Sequence, residues 1–444
     1  MAATHPRRTR ARARPQASTP TREDGRENII DMSAETEFRS FGFPRRNVGD
    51  SAKNIGMIAG GIMTFIGFVL AAYAVSETRK LRDSMNSGRV PPYLTKDALA
   101  SAEGASLYRG AGSWHAQKEL PGLGVSDLQA VAGETGKIYI IGGVDTGNNV
   151  LNRTLSYDSV RQTYETKASM STKRHRFGAA VFTDATSGAV TDIVVASGYE
   201  DAANDDLDPV PFNSSEKYNL ATDTWSNGPS LSTAHKDGCM ASTGDAVYMI
   251  GGWDMGWTSL KKVEKLARGG STWQTMADLP AARGDCAAAG LNGKVYVAGG
   301  YDSASSDHSE GFKNNLYVYD PATNTWTEKA PMNYARGDLQ LVVKGDTLLA
   351  IGGEIKYTKS DGTHENVVAS HYVEEYYPEK DRWEVRAPLG EARFRFGAAT
   401  SIWGTHVFGG SPVCNGVQND CTGLQSETHE VFFELDHPDV WVNL

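Results

Sequence analysis

The sequence predicts an all-β fold, a closed ring of six four-stranded antiparallel sheets, preceded by one membrane-crossing helix and a disordered arginine-rich tail. Three observations predict it. A strand-like run ending in small residues occurs six times, as IYIIGG, IVVASG, VYMIGG, VYVAGG, LLAIGG and THVFGG. Most of these runs are followed by a Tyr-centred strand and then a Trp, as in YNLATDTWSNGP, YDPATNTWTEKAP and YYPEKDRWEVRAP. A 23-residue stretch without a charge, NIGMIAGGIMTFIGFVLAAYAVS, stands between Lys53 and Glu77.

The chain has 444 residues, 47 of them glycine and nine tryptophan, which suits many short strands joined by turns. Residues 1–52 form the tail. Its first 22 residues hold six arginines, no acidic residue and no apolar core, so they are not a secretory signal. Two readings stay open for this tail: a solvated cytoplasmic segment, or a mitochondrial or plastid presequence.

Residues 54–76 are the membrane helix. As a helix they reach about 34 Å at about 1.5 Å per residue, enough to cross a bilayer. Basic residues flank both ends, and the more distant arginine cluster before the span favours an N-terminus on the cytoplasmic side. That topology places the ring in the lumen or outside the cell. Residues 77–107 read as a polar linker with VPPY and SAEGAS.

The ring occupies residues 108–444. The last glycine of each run falls at Gly143, Gly198, Gly252, Gly300, Gly353 and Gly410, with intervals of 55, 54, 48, 53 and 57. A period near 50 marks a repeated sheet that cannot bury both of its faces alone and must stack around an axis. The glycines let the chain leave the second strand beside close neighbours, and the aromatics wedge between sheets. Ser197 replaces the first glycine of the second unit, and Tyr164 stands where the first unit lacks its Trp. Two segments compete to complete the last sheet: Trp114 in GSWHAQKELP and Trp441 in ELDHPDVWVNL. The N-terminal one is favoured.

With these motifs in every unit, the ring resembles the kelch repeat family. The resemblance implies a six-bladed β-propeller that binds proteins through its loop-rich channel end.

Charge bounds the partner. The tail carries ten arginines against seven acidic residues; beyond it stand 34 basic and 47 acidic residues, a net of −13. An acidic body disfavours nucleic acid and anionic lipid as its partner. No cofactor is expected, nor a metal, since no His-x-x-x-His spacing, phosphate-binding glycine loop or Gly-x-Ser-x-Gly turn is present.

Counting fifteen residues back from the second glycine gives Asp237, Asp285, Asp338 and Arg395, and longer first hairpins add Asp127 and Arg176. Two positions earlier stand Arg174, His235, Arg283, Arg336 and Arg393. The two Arg-Gly-Asp tripeptides, at 283–285 and 336–338, are therefore one repeat position seen twice rather than an adhesion signal. In a propeller these residues gather at one end of the channel. Either they form a partner pocket, with the five basic residues as its contacts, or Arg and Asp of neighbouring blades pair with each other and hold the ring.

Trp253 and Trp257, in a loop after the third glycine pair, are further candidate partner contacts. Glu354, in GGEIKY, resembles the corresponding turn of kelch sialic acid mutarotases, which implies an alternative as a carbohydrate-acting enzyme with a carboxyl acid or base. Asn152 and Asn213 open acceptor sequons. Cys414 and Cys421 are a candidate disulfide with its pairing left open, and Cys239 and Cys286, at nearly matching repeat positions, read as small buried thiols.

Overall fold

In the computed structural model, the described residues are 112–134, 136–200, 210–304, 311–358, 364–412 and 425–433. The tail, the apolar span, the linker, Cys414, Cys421 and Trp441 lie outside them.

Six four-stranded antiparallel sheets are formed, one per repeat. Blade 1 runs Gln129–Ala132, Lys137–Ile141, Thr154–Asp158 and Thr163–Lys167 from the inside outward. Blade 2 follows with Gly178–Thr183, Val190–Ala196, Ser215–Asn219 and Thr224–Asn227. Blade 3 has Cys239–Ser242, Ala246–Ile250, Val263–Ala267 and Gln274–Thr275. Blade 4 has Ala287–Leu291, Lys294–Ala298, Leu316–Asp320 and Thr325–Lys329. Blade 5 has Gln340–Lys344, Thr347–Ile351, Val373–Tyr377 and Arg382–Val385. An extra hairpin, Glu354–Thr358 with His364–Ala369, is inserted in blade 5.

Blade 6 takes three strands from the C-terminal side, Gly397–Ser401, Gly404–Phe408 and His429–Phe433, and its outermost from Ser113–Ala116. Trp114 pairs with Phe432 in this antiparallel register, and its indole donates to the Ala387 carbonyl of blade 5 at 3.0 Å. The N-terminal segment thus closes the ring, as its sequence suggested.

The core is divided by the blades. Each of the six interfaces holds its own apolar cluster; between blades 4 and 5, for example, Leu316, Leu348 and Ala350 are fully buried with Tyr376. The aromatic motif works in two ways. Tyr and Trp pack on each other within a blade, as Tyr319 and Trp326 do at 5.0 Å between ring centres. The Trp N–H then donates to a carbonyl of the preceding blade: Trp225 to Ala168, Trp273 to Pro229, Trp326 to Ala277 and Trp383 to Ala330. Where blade 1 has Tyr164, its hydroxyl donates to Lys118, so the departure keeps the bond.

The glycine pair is explained by the same kind of link. Gly299 and Gly300 have φ of +63° and +96°, and a Cβ on Gly299 would meet the Arg336 carbonyl at 2.5 Å. Gly300 N–H donates to that carbonyl, on the next blade, at 2.8 Å. The equivalent bond recurs at all six blades, down to Gly410 donating to Val125. Ser197 adopts φ +73° without being glycine, and its hydroxyl donates to the His235 carbonyl of blade 3.

One sequence expectation changes here. Cys239 and Cys286 are not thiols; they form a disulfide with an S–S distance of 2.05 Å. Cys239 opens blade 3's innermost strand and Cys286 directly precedes blade 4's, which brings their Cα atoms to 5.5 Å, within ordinary disulfide reach. Blades 3 and 4 are thereby linked covalently beside the channel.

Candidate functional site

The residue just before each innermost strand decides what the channel presents. Asp127, Arg176, Asp237, Asp285, Asp338 and Arg395 all have positive φ, between +47° and +55°. This left-handed backbone is uncommon for residues with a side chain, and least so for Asp among these. It recurs in every blade because neighbouring blades lock it. Asp237 N–H donates to the Arg176 carbonyl, Asp285 to Asp237, Asp338 to Asp285, Arg395 to Asp338 and Asp127 to Arg395. These bonds run around the axis, and the six side chains converge on one small cavity of about 50 Å³ to which every blade contributes.

The side chains pair unevenly around that ring. Arg176 bridges Asp127 at 3.4 Å and Asp237 at 3.0 Å, and Arg395 bridges Asp127 at 3.7 Å and Asp338 at 2.7 Å. Asp285, between Asp237 and Asp338, has no guanidinium neighbour; its Oδ1 accepts the Trp253 indole N–H at 2.9 Å. Half of the ring is therefore an alternating ion-pair arc, and the other half is three successive carboxylates. One carboxylate oxygen from each of these three lies within 4.8 Å of the others.

Electrostatics follow from that crowding. Burial, only partly offset by Arg176, pushes the Asp237 carboxyl up to about 7. Burial and then the charges of Asp338 and Asp237 hold Asp285 well above the usual carboxylate range. Glu354, beside the ring, is pushed up to about 8 by burial and by Asp338, against the pull of Arg395 and Arg176. Burial and the nearby Arg176 work against the Arg395 charge, but Asp338, Asp127 and Glu354 outweigh them and raise its pKa.

The five basic residues two positions earlier do something else. Arg174, Arg336 and Arg393 are 0 % exposed and turn into their own blades. They pair with Glu216 at 2.9 Å, Glu374 at 2.8 Å and Glu430 at 2.5 Å, each at the second position of its blade's third strand. His235 faces Glu264 at 3.5 Å in the same register. Blade 4 has Tyr317 at the glutamate position, and Arg283 lies over that ring and donates to Asn315 at 3.0 Å. Blade 1 lacks both members, with Val125 and Leu155 instead. Each glutamate also reaches back to the preceding connection, as Glu374 does by accepting from Asn333 N–H at 2.7 Å. None of these five basic residues is presented at the surface. Sequence reasoning missed their glutamates, although SEKY, VEKL, VEEY and HEVF repeat them in step with the basic residue.

The tryptophans do reach the mouth. Trp253 is buried and packs over Gly284, where a Cβ would meet the indole at 1.9 Å. Trp257 is half-buried, stands 6.2 Å from Trp253, and covers the Lys236 ammonium at 3.4 Å. Asn152 and Asn213 share one repeat position: their amides donate to the Met170 and Leu231 carbonyls, and Asn314 does the same to Met332.

Comparisons with known proteins agree with this architecture. A family model described as Kelch motif matches residues 282–333. Kelch-like protein 36 of Rattus norvegicus is 31% identical over 109 residues, which cover 24% of this chain and 17% of that protein. Kelch domain-containing protein 7A of Mus musculus is 33% identical over 100 residues, covering 22% and 11%. The chain thus spans less than a fifth of the length of these relatives. The solved structure titled "Structure of YjhT" superposes with a TM-score of 0.56 at 13% identity, covering 72% of this chain and 98% of that one, a likeness of fold. The chain carries kelch repeats, and they build a six-bladed β-propeller.

Proposed function

We propose that this protein is a membrane-anchored binding module that presents the acidic channel mouth of its propeller to a protein partner. The observation that carries the reading is the convergence of six ring side chains, one from every blade, on a single cavity, with the Trp257 ring 5.8 Å from the Arg176 guanidinium. A rigid scaffold with a charged recess and a half-buried aromatic offers the anchor and the polar specificity that protein interfaces use. The kelch-containing relatives support an interaction role, and the acidic mouth fits a partner segment bearing Lys or Arg. The anchor is the apolar span 54–76.

An orientation with the propeller in the lumen or outside the cell is supported by the Cys239–Cys286 bond, which persists in oxidising compartments. Asn152 and Asn213 then become accessible to glycosylation. A glycosidase mobility shift that disappears when both are changed to Gln supports this topology; an unshifted protein with its propeller open to cytosolic protease overturns it.

A second reading is favoured by Glu354. A buried carboxyl pushed up to about 8 is protonated at neutral pH and suited to act as a general acid on a sugar. Sugar turnover by the purified protein, abolished in Glu354→Gln, would establish it. Recovery of a stable protein partner without turnover would favour the first reading.

A further inference from the structure

The three successive carboxylates are each held by only one oxygen. Asp237 Oδ2 accepts from Arg176, Asp285 Oδ1 from Trp253, and Asp338 Oδ2 from Arg395. The second oxygen of each takes no hydrogen bond from any described residue. A carboxylate oriented through one oxygen with the other left open is how second-shell partners prepare metal ligands.

A separate observation lies on another strand. Glu354 follows the glycine pair of blade 5, at the register where blade 3 has Trp253, and its backbone bridges to Gly337 beside Asp338. It is 7% exposed, and its carboxylate makes no hydrogen bond or ion pair with any described residue. Its electrostatic neighbours are the ring itself: Asp338, Asp237, Arg395 and Arg176. It also faces Asp285. A buried carboxylate with no hydrogen bond or ion pair of its own, within electrostatic reach of the ring, leaves five acids against two guanidiniums at this mouth.

We propose that the channel mouth holds a calcium-sized divalent cation, bound by the open oxygens of Asp237, Asp285 and Asp338, with the buried charge of Glu354 drawing it in from beside the ring. The donor set is all oxygen, and Cys286, which lines the cavity, is tied to Cys239 in a disulfide, so a hard cation fits better than zinc. Three carboxylate oxygens within 4.8 Å of one another can share one hard cation, and calcium's larger, flexible shell accepts an irregular set of carboxylates where magnesium demands a strict octahedron. Arg176 and Arg395 flank the ion without reaching it, because each is engaged by the outer oxygens. The Cys239–Cys286 bond fixes the spacing of Asp237 and Asp285, which precede its two cysteines by two residues and one. The proposal is independent of whether the mouth also receives a partner.

Trp253 gives the test its readout. Its indole sits 2.9 Å from Asp285, so terbium bound in calcium's place emits when tryptophan is excited. Full-length protein in detergent, stripped with chelator, is titrated with terbium and then with calcium or magnesium chloride. The expected result is sensitised emission displaced by calcium at least ten-fold more readily than by magnesium, together with a rise in Tm on adding calcium. Asp338→Asn should weaken terbium binding at least ten-fold; if that variant does not fold, Glu354→Gln replaces it. Absence of emission from folded wild-type protein overturns the site. Equal emission from wild type and a folded variant assigns the ion to surface carboxylates and does the same, and equal displacement by magnesium overturns the choice of calcium.

Discussion

Arg336 and Asp338, separated by one glycine, serve opposite sides of the same strand entrance. Arg336 is fully buried against Glu374 in its own blade, whereas Asp338, at φ +47°, turns into the channel and meets Arg395 of the next blade. The blade's internal stability and the chemistry of the channel are therefore set by neighbouring residues, and they separate by mutation. Arg336→Ala leaves Glu374 buried without its cation and is expected to cost about 3–5 kcal/mol. Asp338→Asn keeps shape at the mouth and should cost far less. Denaturant unfolding of both variants checks this, and equal losses contradict the division.

The disulfide between blades 3 and 4 closes a separation of 47 residues, which in the chain-entropy picture stabilises by about 4 kcal/mol. Changing Cys239 and Cys286 together to Ala is expected to lower Tm by several degrees. Thiol alkylation followed by mass analysis of the native protein should leave both cysteines unmodified until a reductant is added.

Ring closure depends on a strand that arrives from the opposite end of the chain. Trp114 packs on Phe432 at 5.3 Å and reaches into blade 5. Because it is only half-buried, Trp114→Ala should cost about 2 kcal/mol, below the range for a fully buried Trp. Hydrogen exchange should rise first along His429–Phe433, the strand it covers. Uniform loosening of all six blades would argue against a latch.

A buried histidine pair sets a pH dependence. Burial lowers His406 to about 4, and burial with the nearby His406 lowers His429 to about 3; the two rings share a hydrogen bond of 2.9 Å. Both are neutral in the fold and take up protons near pH 6.5 only when unfolded, so stability is lost as pH falls from about 6.5 toward 4. Asp237, Asp285 and Glu354, whose pKa values are raised, act with opposite sign above pH 5. The readout is therefore a difference: between pH 7 and 5, Tm of the wild type should fall more, or rise less, than that of a His406→Asn, His429→Asn variant. Parallel profiles contradict it.

The sequence makes the blades legible because the glycine pair and the Tyr–Trp pair are demanded by geometry. Gly299 has no room for a side chain against the next blade's backbone, and Trp326 must reach the carbonyl of Ala277, so both motifs recur around the ring, with Ser197 and Tyr164 as the departures. The register of Asp237, Asp285 and Asp338 was legible for the same reason, being counted from those glycines. The opposite fates of Arg336 and Asp338 were not, because they depend on a left-handed backbone that a local motif does not announce. The Cys239–Cys286 bond needed two blades to be laid side by side before matching positions became neighbours. Asp285 differs from Asp237 and Asp338 only because Trp253, from another loop, takes the place of an arginine.

The channel mouth as the partner surface is tested most directly by site-specific photocrosslinking in intact cells. A benzoylphenylalanine is placed at Trp257, on the mouth, or at Ile402, which is 61% exposed beyond the far end of blade 6's innermost strand. The account predicts a discrete crosslinked protein adduct from position 257, lost when Asp338→Asn and Asp285→Asn are added, and none from position 402. Adducts from position 402 alone, or adducts from 257 that persist without the two carboxylates, would contradict it.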